Sequence, residues 1–316
     1  MIKRVMITAE IPSVAREILR GFDVAVECSA SLRTEEEVIE TLRGASGAIT
    51  LLSDPITRRV IEASPQLEVV SNYAVGVNNI DLEAAKEHGV IVANTPDVLT
   101  AATADLTMAL ILSVTRRVIE GDNLVRRGGF TGWHPLLLLG MELEGKRLGI
   151  IGLGRIGEAV ARRASAFGMQ IVFHTRHPRP QIERSLGAAW LTLDELLRTS
   201  DVVTIHTPLT EQTRGLLNRD ALSRMKVGSY LVNTSRGEIV DEVALGDALE
   251  QGRLRGAGLD VYEREPLVEP RLLEMEHVVL LPHIGSATDE ARRRMAEIAA
   301  RNVLSVLQGT NPVYEV

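Results

Sequence analysis

The chain has little cysteine, few aromatic residues and no long apolar run, and each shortage excludes a class of protein. A single cysteine, Cys28, stands among 316 residues, so neither an intrachain disulfide nor a cysteine metal cluster can form. Aromatic residues make up only 3%, so aliphatic side chains must fill the cores. No apolar run approaches the roughly 20 residues that span a bilayer. The N-terminal residues predict a first strand rather than a secretion signal.

The charge and the placement of charged residues exclude further classes of protein. The formal net charge of −7 opposes binding to a polyanion, so we expect no nucleic-acid partner. The spacing of histidines and carboxylates predicts no metal site. Together these features predict a cytoplasmic protein without a membrane or nucleic-acid partner.

Apolar runs and amphipathic helical patterns alternate along the chain, which is typical of βαβ units and parallel sheets. One series of runs precedes Thr100, a long helix is predicted over residues 100–128, and a second series follows. The last helical segment, Thr288–Gln308, is expected to return to the first domain. We therefore predict an α/β fold with two doubly wound parallel-sheet domains. Residues 1–99 and 286–316 form one, and residues 100–285 are inserted as the other.

A glycine-rich turn opens the second series. In LGIIGLGRIGEAVARRASAFG, the residues Gly152, Gly154 and Gly157 fit the pattern G-x-G-x-x-G between a strand and a helix. In this pattern the first glycine allows the tight turn, the second lets the backbone approach a pyrophosphate, and the third lets helix and strand pack closely. The turn, with Arg155 and Ile156, predicts a dinucleotide site at the positive end of the helix. The alternative is a glycine-rich turn in a domain without a ligand.

The strand after this turn lacks the acid that NAD enzymes usually place at its end. The segment IVFHTRHPRP has Thr175 and Arg176 there instead, with Arg179 close behind. An arginine can bind a ribose 2′-phosphate through charge-assisted hydrogen bonds, whereas a carboxylate would repel it. We therefore expect NADP(H) to be preferred, with NAD(H) as a second cofactor. The alternative is that Arg176 only stacks on the adenine.

Three polar residues follow apolar strands of the second series, where ligands bind in doubly wound folds. They are Arg236, Glu265 and His283. Reduction of a 2-oxo acid needs a proton at the carbonyl oxygen, and an imidazole that titrates near neutrality can supply it. Glu265 can orient the ring of His283, and Arg236 can bind the carboxylate and polarise the carbonyl. The alternatives are a histidine in a cap or core, a solvated acid and an arginine that stabilises a loop.

The combined motifs resemble those of the D-2-hydroxyacid dehydrogenase family over nearly the whole chain. The motifs that carry the resemblance are GLGRIG, NTSRG, GLDVYEREP and PHIGSA, in this order. Within that family the chain is most similar to the glyoxylate/hydroxypyruvate reductases. The segments that support this are LLSD, AVGVNNID, GWHP and TRHPRP.

The resemblance implies a flavodoxin-like substrate domain, a Rossmann cofactor domain and an active site in the cleft between them. It places Arg236, Glu265 and His283 at the catalytic positions. The implied substrate contacts are Leu52, Val75, Gly76, Arg236, His283 and Trp133 of the partner subunit. The implied cofactor contacts include the glycine turn and the segment of Thr175, Arg176 and Arg179. The others are Thr207, Thr234, Asp260 and Gly285. A homodimer is implied, with the helix after Thr100 at its interface.

Several alternatives stay open for the substrate. The segment TLLSDP lacks a basic residue, which favours glyoxylate or hydroxypyruvate, but Arg58 and Arg59 lie nearby in the sequence. Phosphoglycerate and phosphoerythronate therefore remain candidates, and D-lactate is a further alternative. Glu265 argues against a formate dehydrogenase, and Val75 argues against a phosphite dehydrogenase, which has a lysine there. A cofactor-binding redox sensor without catalysis is disfavoured by the complete set of catalytic positions. The pair Asn78–Asn79 departs from the family pattern and suggests no function.

Overall fold

The computed structural model describes residues 2–26 and 33–316, which separate into two units. One unit contains the residues up to Leu99 together with Ser286–Val316, and the other runs from Thr100 to Gly285. Cys28 lies outside the described residues. Among the helices that are described, none combines the length and the apolar content needed to cross a membrane.

The first unit contains a parallel sheet of five strands in the order β2-β1-β3-β4-β5. Its strands are β1 (Arg4–Ile7), β2 (Asp23–Val26), β3 (Gly47–Thr50), β4 (Val69–Asn72) and β5 (Ile91–Ala93). Its helices within the first hundred residues are α1 (Val14–Ile18), α2 (Glu35–Leu42), α3 (Arg58–Glu62) and α4 (Leu82–Glu87). Every residue of β3 and β4 is buried, as expected for central strands with both faces covered. This strand order is that of the flavodoxin-like doubly wound fold.

The second unit contains a parallel sheet of seven strands in the order β12-β11-β10-β9-β6-β7-β8. Its strands are β6 (Arg147–Ile151), β7 (Gln170–His174), β8 (Ala189–Trp190), β9 (Val202–Ile205), β10 (Ser229–Asn233), β11 (Leu254–Leu259) and β12 (Val278–Leu280). Its helices are α5 (Thr100–Arg116), α6 (Val118–Arg126), α7 (Arg155–Ala166), α8 (Pro180–Leu186), α9 (Leu193–Thr199), α10 (Arg219–Arg224), α11 (Glu242–Glu250) and α12 (Pro270–Glu274). The strand order reverses between β6 and β9, and ligands of such sheets bind beyond the strand ends at this switch point. The prediction of two parallel-sheet α/β domains is confirmed.

The prediction of one long helix after Thr100 is wrong, because the helix is interrupted at Arg117. This residue has a left-handed backbone, with φ 55°, and its guanidinium binds Glu120 in the first turn of α6. Helix α5 buries eight residues, whereas α6 buries none. Since arginine is a good helix former, residue preference alone could not show this break.

The last helix, α13 (Asp289–Leu307), belongs to the first unit and is fixed there by a buried asparagine. The Nδ2 group of Asn302 donates to Ser71 Oγ at 3.2 Å and to the carbonyl oxygen of Asn94 at 3.0 Å. Its Oδ1 atom accepts the N–H of Tyr314 at 3.1 Å. One amide therefore joins helix, sheet and the last residues of the chain.

Replacement of Asn302 by alanine should lower the free energy of unfolding by about 2–3 kcal/mol, because buried partners lose their hydrogen bonds. Urea denaturation followed by circular dichroism measures this. The exposed neighbour Arg301 provides the control, since Arg301→Ala should change the value by less than about 0.5 kcal/mol. Equal effects of the two substitutions would show that the amide network contributes no stability.

Candidate active site

The glycine turn after β6 is built from two close contacts and one open position. Gly152 has φ +91°, and a Cβ atom there would lie 2.5 Å from the carbonyl oxygen of His206. A Cβ atom on Gly157 would lie 2.3 Å from the carbonyl oxygen of Gly152. Gly154 caps α7 with φ −77°, and no described atom lies within 4 Å of its Cβ position. Two glycines are therefore required by the packing of the chain, and Gly154 is not.

The surroundings of this turn fit the phosphates of a dinucleotide. The first N–H groups of α7, including those of Arg155 and Ile156, lie where an anion would bind. Thr207 lies against the turn, and its hydroxyl is buried without a hydrogen-bond partner in the described structure. Burial lowers the pKa of the adjacent His206 to about 3, so this ring is neutral at physiological pH.

The segment after β7 is fixed on two sides. The Thr175 hydroxyl donates to the carbonyl oxygen of His177 at 2.7 Å, and the Trp190 indole donates to the carbonyl oxygen of Thr175 at 3.0 Å. Arg176 is exposed, and the Arg179 guanidinium donates to the carbonyl oxygen of Leu153 in the glycine turn. The structure thus brings Arg179 to the turn. The role of Trp190 was not predicted from the sequence, because β8 is too short to give a recognisable pattern.

Arg236, Glu265 and His283 follow the neighbouring strands β10, β11 and β12, so they lie at one edge of the sheet. The ring atom Nδ1 of His283 lies 2.8 Å from Oε2 of Glu265. Oε1 of Glu265 accepts the N–H of Tyr262 at 3.2 Å. The guanidinium of Arg236 donates to the carbonyl oxygen of Ser235 at 2.6 Å.

Burial and neighbouring charges shift the pKa values of Arg236 and Glu265 in opposite directions. Burial lowers the pKa of Arg236, while the carboxylates of Glu265 and Glu238 raise it. Burial also opposes ionisation of Glu265, but the hydrogen bond with His283 and the nearby charges outweigh it, so the pKa of Glu265 lies below its ordinary value. Glu265 is therefore an anion at neutral pH and a ready partner for an imidazole N–H.

Asp260 fixes the backbone beside His283, which is left-handed with φ 53°. Its two carboxylate oxygens accept the N–H groups of Ile284 at 2.7 Å and Gly285 at 2.8 Å. Burial raises the pKa of Asp260, and these two hydrogen bonds oppose that shift. The structure thus shows that Asp260, which the sequence predicts as a cofactor contact, holds the loop that carries the histidine.

Two further contacts join the loops of this edge. A Cβ atom on Gly237 would lie 1.8 Å from the carbonyl carbon of Tyr262, so only glycine lets the turn after Arg236 pack on the loop before Glu265. The hydroxyl of Thr234 lies 2.9 Å from that of Thr107 in α5. Gly237 was not predicted as part of the site, although it directly follows the candidate arginine.

The residues predicted to bind substrate in the first unit lie on two loops. Leu52 and Val75 are exposed, and the Asn72 Nδ2 group donates to the carbonyl oxygen of Gly76 at 2.8 Å. Asn72 also donates to Asn79 Oδ1 at 3.0 Å.

Asn79, whose pattern suggested no function, joins these loops. Its Nδ2 group donates to the carbonyl oxygens of Leu51 at 3.0 Å and Asp54 at 2.9 Å. The structure therefore gives it an architectural role.

The arginines close to these loops are already paired with carboxylates. Arg58 binds Glu87 at 2.5 Å, and Arg59 binds two glutamates of α2 at 2.9 and 2.6 Å. The buried Arg33 binds the buried Asp54 at 3.3 Å. These charges are therefore partly neutralised by neighbouring acids before any anionic substrate arrives.

Trp133 lies in the loop between α6 and β6 and is 83% exposed. Other exposed apolar side chains of this loop are Phe130, Leu136, Leu137 and Leu139. In the described chain, no group of three or more histidines, cysteines or acids is arranged to hold a metal ion.

A family model and three known proteins are similar to this chain. Residues 108–285 match the D-isomer specific 2-hydroxyacid dehydrogenase, NAD binding domain. The glyoxylate reductase of Thermococcus onnurineus is 45% identical over 314 residues, which are 98% of this chain and 94% of that protein. A crystal structure from Thermus thermophilus has a TM-score of 0.94 at 47% identity, covering 99% of both chains. The NADPH-dependent glyoxylate/hydroxypyruvate reductase of Sinorhizobium meliloti, solved with NADP and malonate, has a TM-score of 0.87 at 34% identity, covering 100% of this chain and 97% of its own.

Replacement of Gly154 by alanine should separate binding from folding. The new methyl group meets no described atom, so the unfolding midpoint should be unchanged, whereas the dissociation constant for NADPH should rise about tenfold or more. Fluorescence titration of NADPH measures binding. Gly157→Ala is the contrasting variant, because its methyl group clashes with the backbone and should lower the unfolding midpoint. Unchanged affinity in Gly154→Ala would show that the phosphates lie elsewhere.

Proposed function

The chain belongs to the D-isomer specific 2-hydroxyacid dehydrogenase family and is an NAD(P)-dependent dehydrogenase, and we propose that it reduces hydroxypyruvate or glyoxylate to D-glycerate or glycolate. The observation that carries the proposal is the 2.8 Å contact between His283 and Glu265 at the same sheet edge as Arg236. It is supported by relatives named glyoxylate reductase that are 45% identical to this chain.

In this proposal His283 is the proton donor. When bound, the reduced nicotinamide supplies a hydride to the carbonyl carbon of the substrate. The Nε2–H group of His283 donates its proton to the carbonyl oxygen, while Nδ1–H stays hydrogen-bonded to Glu265. The carboxylate of Glu265 accepts this hydrogen bond and so keeps the orientation of the ring before and after the transfer. In the reverse direction, the neutral ring accepts the proton of the hydroxyl group.

Arg236 binds the substrate carboxylate and polarises the carbonyl oxygen. A guanidinium suits this role because it presents paired donors in a plane and stays charged even where burial lowers its pKa. The proposed substrate contacts of the first unit are the main-chain N–H groups of Val75 and Gly76 and the side chain of Leu52. A small acid without a phosphate is favoured as the substrate, because the arginines near the loops of Leu52 and Val75 are already paired with carboxylates. Phosphoglycerate, phosphoerythronate and D-lactate are the alternative substrates.

We propose NADP(H) as the preferred cofactor and NAD(H) as a second one. Arg176 is exposed two residues after β7, and Arg179 is held at the glycine turn, so both are available to a ribose 2′-phosphate. The proposed cofactor contacts are Gly152, Gly154, Arg155, Ile156, Gly157, Thr175, Arg176, Arg179, Thr207, Thr234, Asp260 and Gly285.

We also propose a homodimer. Its basis is the exposed apolar loop around Trp133, since monomers seldom leave such a patch uncovered. In the dimer, Trp133 of the partner subunit contacts the substrate.

Initial rates of NADPH and NADH oxidation with hydroxypyruvate, glyoxylate and pyruvate test the proposed reaction. We expect rapid turnover of hydroxypyruvate or glyoxylate, with NADPH preferred. His283→Asn is the control: it should reduce kcat by at least about a hundredfold and leave NADPH binding nearly unchanged, because it removes only the proton donor. Turnover of pyruvate alone would favour D-lactate, and turnover of none of the three acids would favour the phosphorylated alternatives. Near-normal turnover of His283→Asn would reject this residue as the acid.

The double substitution Thr175→Asp with Arg176→Ala should reverse the cofactor preference. It removes a cation and adds a carboxylate at the proposed 2′-phosphate position, so the ratio of kcat/KM for NADPH over NADH should fall about ten- to a hundredfold. Arg184→Ala removes one exposed arginine from the neighbouring α8 and should leave the ratio unchanged. If the double variant keeps the original ratio, neither residue selects the cofactor.

A further inference from the structure

A buried carboxylate lies behind the loop that carries Glu265. Glu242 is the first residue of α11 and is only 5% exposed. One of its oxygens accepts the N–H of Glu263 at 2.7 Å, and the other accepts the N–H of Glu269 at 3.3 Å. Both oxygens of the side chain are therefore directed at the backbone of a single loop.

The burial of this carboxylate is unfavourable in itself. Burial raises the pKa of Glu242, and the carboxylates of Glu263 and Glu269 raise it further, while the two backbone hydrogen bonds oppose the shift. In the part of the chain that the structure describes, Glu242 has no cationic partner. The stabilisation of this side chain therefore comes from the loop amides and from the positive end of α11.

The two amides that Glu242 holds bracket Glu265 in the sequence. Between them, the N–H of Leu267 donates to the carbonyl oxygen of Arg264 at 2.8 Å, which closes the tip of the loop. Glu265 then extends to His283 from a segment whose two ends are fixed to one carboxylate. A shift of the loop would thus change the distance between Glu265 and His283.

We propose that Glu242 is a positioning residue for proton transfer, whose carboxylate clamps both ends of the loop Glu263–Glu269 and thereby keeps Glu265 on His283. This inference rests on the proposed function of the pair. The sequence alone did not indicate this role. Glu242 lies in the first turn of α11, where acidic residues are common because they favour the positive end of the helix.

A double-mutant cycle tests this role. Glu242→Gln keeps the shape of the side chain but gives one loop N–H an amide group in place of an acceptor. We expect kcat to fall about tenfold or more, with the KM for NADPH changed less than about twofold, because small displacements of catalytic groups are costly. In the Glu265→Gln background the same substitution should change kcat by less than about twofold, because its effect passes through Glu265. Glu250→Gln makes the same change at an exposed position of α11 and should leave kcat unchanged.

The outcomes separate this inference from the proposed function. If Glu265→Gln lowers kcat strongly and Glu242→Gln does not, only the clamp is wrong. Equal losses from Glu242→Gln in both backgrounds would also overturn it, since they would show a general effect on the fold. If Glu265→Gln has no effect on kcat, the proposed proton-transfer pair fails, and the inference fails with it.

A second pair of variants covers the case in which Glu242→Gln does not fold. Glu269 has φ −53°, which suits proline, so Glu269→Pro deletes the N–H donor to Glu242 without a change in backbone angle at that residue. Glu269→Ala keeps the N–H and removes the same ion pair with Arg271. We expect Glu269→Pro to have a kcat several-fold below that of Glu269→Ala, and equal values would overturn the clamp.

Discussion

The candidate site depends on hydrogen bonds from the N–H groups of its loops to buried carboxylates. Parallel strands deliver their loops to one edge, but loops lack the regular hydrogen bonds of a sheet and need other acceptors. Asp260 accepts two N–H groups beside His283, and Glu242 accepts two around Glu265. In the first unit, Asp54 accepts the N–H of Leu51. A hydrogen bond to a charged group contributes about 1.5–3 kcal/mol, enough to hold a loop in one conformation.

Glycines complement these carboxylates by allowing backbones to touch. Gly152 lets the turn after β6 meet the segment of His206, and Gly157 lets α7 approach that turn. Gly237 brings the loops of Arg236 and Glu265 into contact. The carboxylates hold the loops through hydrogen bonds, and the glycines allow the backbones of neighbouring loops to come into contact. Each loop is consequently positioned relative to its neighbours rather than only to its own strand.

The parts of the fold that sequence could predict are those governed by local pattern. The alternation of apolar runs and amphipathic segments predicted two parallel α/β domains, because buried parallel strands read as short apolar runs. The break at Arg117 and strand β8 were not predicted, because neither produces a pattern in the sequence. Arg117 has an ordinary helical preference, and β8 has only two residues, so neither leaves a periodic signal.

Sequence alone identifies the chemical groups that are present: the glycine turn, the arginines after β7, and Arg236, Glu265 and His283 at strand ends. Their types and their order along the chain follow from short motifs, which need only local spacing. Only the folded chain shows that Glu265 lies 2.8 Å from His283, that Asp260 holds the histidine loop, and that Glu242 lies behind the loop of Glu265. These contacts join residues 18 to 27 positions apart. Such pairings depend on how neighbouring strands align in the sheet, which no local pattern encodes.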